Sequence, residues 1–286
     1  MKKLIDLILY GNYWIAICAL AMVLQTQIFL GDPVQYSTLS VFIFSATFFL
    51  YAAHRIVGIS RLSAFFDVDR YQVIARFKFH IFIYAAITGI ASLYFFFYLS
   101  WSVQLALVVP GILSLGYVIP FLGNRKRLRD LNHIKIYLVA VVWAWVTVGL
   151  PAIHAEKMQT LPFLLMALER AFFIFAITLP FDIRDMVVDK HSGVKTIPSV
   201  IGLERTKQLG LISAVAFCGL VFANYCLGTY LISDLVALLI SGVSTWYIIR
   251  ISDQGKHDYF YSGLVDGTML IQFLLVVLGR WVFGGF

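Results

Sequence analysis

The chain carries nine apolar runs, near residues 9–30, 36–58, 78–99, 101–122, 135–154, 161–182, 207–227, 230–250 and 260–283. Each is close to the roughly 20 residues that an α-helix needs to cross a bilayer. This patterning limits the fold more than any other feature. Inside hydrocarbon every backbone N–H and C=O has to find a partner within the protein, so only helices and closed barrels can span. The runs are continuous and lack the two-residue alternation of a membrane barrel. The expected fold is therefore an all-α integral membrane protein, a bundle of nine transmembrane helices, with residues 1–286 as a single membrane domain. A mean hydropathy of +0.88 agrees, lying far outside soluble globular usage.

The junctions add topology. Ser100 alone separates the third run from the fourth, and Gly228-Thr229 separates the seventh from the eighth, so these neighbours are antiparallel. Three connections are long and polar: 59–77, 123–134 and 183–206. Lys2-Lys3 before an apolar run, with Ala19-Leu20-Ala21 further on, mimics a secretory signal and its cleavage site. The apolar run continues to Leu30, so a retained first helix is the expectation. Cys18, Cys218 and Cys226 lie in apolar segments without CxxC spacing and read as small core residues.

Lysine and arginine set the orientation. Lys2, Lys3, Arg55, Arg61, Arg70, Arg76, Lys78, Arg125, Lys126, Arg127, Arg129, Lys135, Arg184, Lys190, Lys195, Arg205, Lys207, Arg250 and Lys256 all fall on one face of the bundle. Only Lys157 and Arg280 fall on the other, with Arg170 inside a span. Basic loops stay cytoplasmic, which places the N-terminus in the cytoplasm and the C-terminus outside. The net charge of +7 reflects these loops, and no nucleic acid is expected among the partners.

One polar stretch carries chemistry. Asp182-Ile-Arg-Asp185-Met-Val-Val-Asp189 has carboxylates at i, i+3 and i+7, which share a face on a helix. Their mutual repulsion is relieved by a hard divalent cation such as Mg²⁺, which takes oxygen ligands and bridges carboxylates to phosphates. A solvated acidic helix end is the plain alternative. Gly193-Val-Lys195-Thr196-Ile-Pro198 follows directly and favours a phosphate site.

Together these residues resemble the UbiA-type intramembrane prenyltransferases. The likeness rests on nine helices with long connections after the second, fourth and sixth. It also rests on the acidic motif with its Lys195-Thr196-x-Pro198 tail, and on Tyr117-x-x-Pro120 at the end of the fourth run. The resemblance implies a central cavity and an Mg²⁺-dependent transfer of an isoprenoid. The donor would be a polyprenyl diphosphate and the recipient an aromatic or other lipophilic acceptor, with membrane lipids around it. It implies that Asp182, Asp185 and Asp189 hold the metal and are catalytic, and that Lys195 contacts diphosphate. The basic stretch Arg125-Lys126-Arg127 suits diphosphate and anionic lipid headgroups equally well. Tyr51, His54, Tyr117 and Asp266 are expected in the substrate cavity.

The pattern also departs from the family. The second run carries Tyr51-Ala-Ala-His54-Arg55 where the resemblance calls for another carboxylate motif, and it holds no carboxylate at all. Arg55, a bidentate phosphate group by geometry, is expected to replace part of that missing metal set, with His54 beside it. Two alternatives stay open. His54-Arg55 also reads as an interfacial anchor, and the bundle as a catalytically inactive relative that binds an isoprenoid lipid or transports a small solute. Glu169 and Arg170, deep in the sixth run, point about 100° apart and are each expected to find a separate partner. Asp234 is expected at the interface, and His80 in a structural role.

Overall fold

The computed structural model describes residues 2–32, 34–59, 74, 76–120, 127–132, 134–158, 161–191 and 193–283. Arg61, Arg70, Arg125 and Lys126 lie outside the described residues. The helices are α1 (Lys2–Tyr10), α2 (Tyr13–Phe29), α3 (Thr38–Ile59) and α4 (Lys78–Phe96). Then come α5 (Trp101–Val118), α6 (Ile134–His154), α7 (Leu161–His191), α8 (Leu203–Cys226), α9 (Ile232–Arg250) and α10 (Phe260–Val282). Eight of these, α3 to α10, are long and apolar enough to span, and the bent pair α1–α2 makes up to nine. This is a multi-pass membrane protein.

The first run differs from a straight helix near 9–30. It breaks at Gly11–Asn12, where α1 and α2 meet at 57°. Asn12 has φ 71°, a left-handed conformation that asparagine tolerates better than most residues. A Cβ at Gly11 would lie 2.1 Å from the Leu7 carbonyl oxygen, so a side chain does not fit there. Leu4 and Ile5 are exposed while Asp6 is buried, with its carboxylate accepting from the Tyr259 hydroxyl.

The spans form a ring. Helix α2 packs on α3 and α10, α10 on α9, α9 on α8, α8 on α7 and α7 on α6; α5 lies against both α3 and α6 and closes the circuit. Helix α4 packs on α3 at the periphery and is largely lipid-facing. Two spans are locally unwound into π-helical turns, at Trp145–Gly149 in α6 and Phe260–Val265 in α10. The first has a visible cause. Pro151 has no N–H to return to the preceding turn, and the Thr147 carbonyl is taken instead by Thr26 Oγ1 at 2.7 Å. Thr147 Oγ1 donates to Trp143 O at 2.7 Å and accepts from Arg170 Nη1 at 3.3 Å. A proline-loosened turn is thereby stitched to α2 and α7.

Glu169 and Arg170 do find separate partners. Glu169 accepts from Tyr230 Oη at 2.6 Å and Asn224 Nδ2 at 3.0 Å, while Arg170 also donates to the Met22 carbonyl at 3.3 Å. Asp234, in the first turn of α9, is fully buried, and Arg280 grips both its oxygens at 2.9 and 2.7 Å. Thr26→Val removes the bond to the Thr147 carbonyl while keeping side-chain volume. Its expected cost is about 1 kcal/mol, read as a lower melting temperature in detergent with the helical circular-dichroism signal unchanged.

Candidate functional site

Helix α7 runs unbroken through His191, so the acidic motif lies within its last three turns and not beyond its end. Pro180 is accommodated inside this helix. Asp182 and Asp189, seven residues apart, project in nearly the same direction, toward the start of α6. There Lys135 Nζ sits 2.8 Å from Asp182 Oδ1 and 3.3 Å from Asp189 Oδ2. The Asp182 contact is an ion pair without hydrogen-bond alignment. All three side chains are buried. Asp185, one turn from Asp189, is held by its neighbour Arg184 at 2.8 and 3.1 Å, and Arg184 reaches Asp258 at 2.8 Å. The Arg184 guanidinium also lies 5.0 and 5.4 Å from the ring centroids of Phe181 and Tyr261.

These groups form one wall of a cavity of about 910 Å³. Its body is apolar, walled by residues such as Phe42, Phe49, Phe96, Leu113, Val146 and Ile177. Charge is concentrated where α3, α6 and α7 meet the long loops. Among the described residues five cations reach the cavity there: Arg55, Arg127, Arg129, Lys135 and Arg184. Asp130, Asp185 and Asp189 line the same mouth, and Asp266 lies on the α10 wall.

Of the expected cavity residues, Tyr51, His54, Tyr117 and Asp266 all line this space. Asp182 does not; it borders a small adjacent crevice with Lys135, Ile136 and Thr196. Lys195 borders that crevice too, is exposed, and uses its backbone N–H on Asn132 Oδ1 at 2.9 Å. It is not part of the cavity wall. Arg55 reaches the cavity, but its Nε donates to Asn12 Oδ1 and its Nη2 to the Leu9 carbonyl at 3.1 Å. It thus ties down the end of α1 at the bend. His80 is exposed among Phe77, Phe79 and Tyr84.

Two groups escaped the sequence reading. Lys135 was counted with the basic loop; its place between Ile134 and Ile136, at the start of an apolar run, was the available signal for a paired or functional charge. Arg129 lies within a short 3₁₀ turn, Leu128–Asp130, stabilised by Arg127–Asp130 contacts at 2.9 and 3.0 Å. Burial works to raise the Asp130 carboxyl, but the Arg127 hydrogen bonds and charge outweigh it and hold its pKa below the usual range. Burial likewise opposes the Arg129 charge, but Tyr117, Asp189, Asp185 and Asp130 outweigh it and keep its pKa above the ordinary arginine value.

Among the described residues no three His, Cys, Asp or Glu side chains converge as a metal-binding group. Two carboxylates of α7, Asp185 and Asp189, do line the cavity one turn apart. That set suits one Mg²⁺, an ion commonly held by one or two carboxylates with substrate phosphates completing its shell.

The model of the UbiA prenyltransferase family matches residues 74–274. The chain belongs to this family. No curated protein matches it by sequence. Solved structures of family members share its fold at low identity. A UbiA homologue from Aeropyrum pernix K1 is 14% identical, with a TM-score of 0.68 over 93% of this chain and 97% of that one. A UbiA homologue from Archaeoglobus fulgidus, bound to GPP and Mg²⁺, is 13% identical, with a TM-score of 0.64 over 96% and 99%. A digeranylgeranylglyceryl phosphate synthase is 16% identical, with a TM-score of 0.62 over 98% and 99%.

Lys135→Met leaves Asp182 and Asp189 buried without their cation. Breaking one side of a buried pair costs about 3–5 kcal/mol, so thermal stability in detergent should fall sharply. Asp182→Asn in the same chain should restore part of the loss. A double-mutant cycle showing no coupling would mean that the contact contributes nothing.

Proposed function

We propose that this protein is an intramembrane prenyltransferase, moving an isoprenoid from a polyprenyl diphosphate to a lipophilic acceptor with the help of Mg²⁺. One observation carries the reading: a single cavity joins a mouth of arginine, lysine and carboxylate side chains to a long apolar interior. An amphiphile with an anionic head and a hydrocarbon tail matches both halves. The A. fulgidus homologue of the same fold, bound to GPP and Mg²⁺, supports that choice of ligand.

In this reading Asp185 and Asp189 hold the cation, which supplies charge neutralisation to the leaving diphosphate. Lys135 keeps Asp182 and Asp189 in place, and Arg184 does the same for Asp185. The apolar walls hold the prenyl tail and keep water from the cationic carbon that develops as the C–O bond breaks. Tyr51 and Tyr117 present aromatic groups to the cavity, whose negative faces favour a cation. Asp266, on the α10 wall, is placed to accept a hydrogen bond from the acceptor. The charged mouth faces the cytoplasm, with the N-terminus on the same side and the C-terminus outside.

Purified protein given geranyl diphosphate, Mg²⁺ and a membrane lipid extract should release pyrophosphate and yield a prenyl-shifted lipid by mass spectrometry. Asp185→Ala should reduce both by about 100-fold or more, the scale of losing transition-state charge stabilisation. Unchanged lipids and no pyrophosphate from the wild type would sink the transferase reading in favour of a lipid-binding protein. For orientation, Lys195→Cys should react with a membrane-impermeant thiol reagent only from the cytoplasmic side, and Lys157→Cys only from outside.

A further inference from the structure

Most of the cations at the cavity mouth are engaged. Arg127 holds Asp130, Lys135 holds Asp182 and Asp189, and Arg184 joins Asp185 to Asp258. Arg55 holds Asn12 and the Leu9 carbonyl. Arg129 is different. Among the described residues no carboxylate forms an ion pair with it.

Its guanidinium rests on two uncharged rings. Nη1 meets His54 Nε2, and Cζ lies 5.6 Å from the centroid of Tyr117. The His54 and Tyr117 rings are themselves 5.9 Å apart. Guanidinium can only donate, so Nε2 must present its lone pair and His54 is neutral in this arrangement. The two rings therefore fix the direction of the Arg129 charge without cancelling it. A cation so placed on a cavity wall, with N–H groups still available, is arranged to meet an anion that comes from outside the protein.

The location adds to this. His54 stands at the loop end of α3, where the sequence holds no carboxylate, and it lines the same cavity as Arg129, Asp185 and Asp189. We propose that Arg129, aimed by His54 and Tyr117, binds a phosphate of the ligand directly and supplies a fixed positive charge beside the divalent ion. This rests on the cavity being a prenyl diphosphate site. It assigns the diphosphate two kinds of partner: a divalent ion on Asp185 and Asp189, and the guanidinium of Arg129. His54 is a positioning residue, acting through Arg129. The divalent requirement falls to one ion, and part of the anion affinity survives chelation.

The test is calorimetric binding of inorganic pyrophosphate to the full-length protein in detergent, once with Mg²⁺ and once with EDTA. Wild type should bind in both, more weakly in EDTA. Arg129→Met should weaken binding about tenfold or more in both arms, the scale of a lost charge-assisted hydrogen bond. Asp185→Asn should weaken only the Mg²⁺ arm. Arg129→Lys, which keeps the charge and suits a chain that does not tolerate methionine, should show an intermediate loss. His54→Phe should mimic Arg129→Lys, and His54→Asn, which retains an acceptor oxygen, should recover most of the affinity at equal thermal stability. Wild-type binding that vanishes in EDTA, or an Arg129→Met chain that stays monodisperse and binds pyrophosphate normally, would overturn the proposal. Geranyl diphosphate is added as competitor: if it does not displace pyrophosphate, the prenyl diphosphate reading fails while the Arg129 assignment stands.

Discussion

Charge is costly in a bilayer, and the contact of Lys135 with Asp182 and Asp189 is the point at which this protein meets that cost. Two like charges on one face of α7 would repel each other in a poorly solvated setting. The ammonium group arriving from α6 offsets that repulsion and, in doing so, fixes the relative height of two helices whose other contacts are mostly apolar. Apolar side chains in lipid supply little preference for one register over another. A buried ion pair with a single good geometry does supply one. The rest of the charged mouth, Arg184 with Asp185 and Asp258 included, is positioned relative to that register.

The same logic operates at the opposite end and in the middle of the bundle. Asp234 and Arg280 tie α9 to α10, Glu169 ties α7 to Tyr230 and Asn224, and Arg170 ties α7 to α2 and α6. Polar groups thus mark nearly every place where helices must hold a particular height. The cavity is left between them with walls that are apolar through most of its depth. A protein that has to enclose a volume inside a membrane cannot fill it with packing, so its stability has to come from the ring of helices around it.

Much of this was legible in the residues. Continuous apolar runs bounded by basic loops give the helices, because hydrocarbon leaves the backbone few other conformations. The spacing of Asp182, Asp185 and Asp189 gave a shared helical face, but spacing says nothing of what lies opposite. A one-dimensional pattern did not show that Lys135 would occupy two of these carboxylates. Arg55 and Arg129 were hidden by the same limit in opposite ways. Arg55 sits where the resemblance calls for a carboxylate motif and is drawn to the end of α1, because the bend at Asn12 presents a carbonyl and a side-chain amide to it. Arg129 sits in a loop full of basic residues, and only the turn at Leu128–Asp130 brings it to His54. The π-helical turn in α6 was prefigured by Pro151, though the partner of the Thr147 carbonyl, Thr26, lies 121 residues away.

The length of α7 has a consequence for where a ligand stands in the leaflet. Its 31 residues correspond to about 46 Å of helix at 1.5 Å per residue, against a hydrocarbon core of about 30 Å. Even with the usual tilt of a spanning helix, that surplus is long enough for the turns bearing Asp185 and Asp189 to stand at the depth of the phospholipid headgroups. The apolar part of the cavity would then stand at the depth of the acyl chains. An amphiphile that moves sideways from the leaflet into the protein would keep its head among phosphates and its tail among hydrocarbon throughout. Neither end would have to be dragged through the wrong medium, and the bundle would differ from the lipid around it mainly in holding that molecule still.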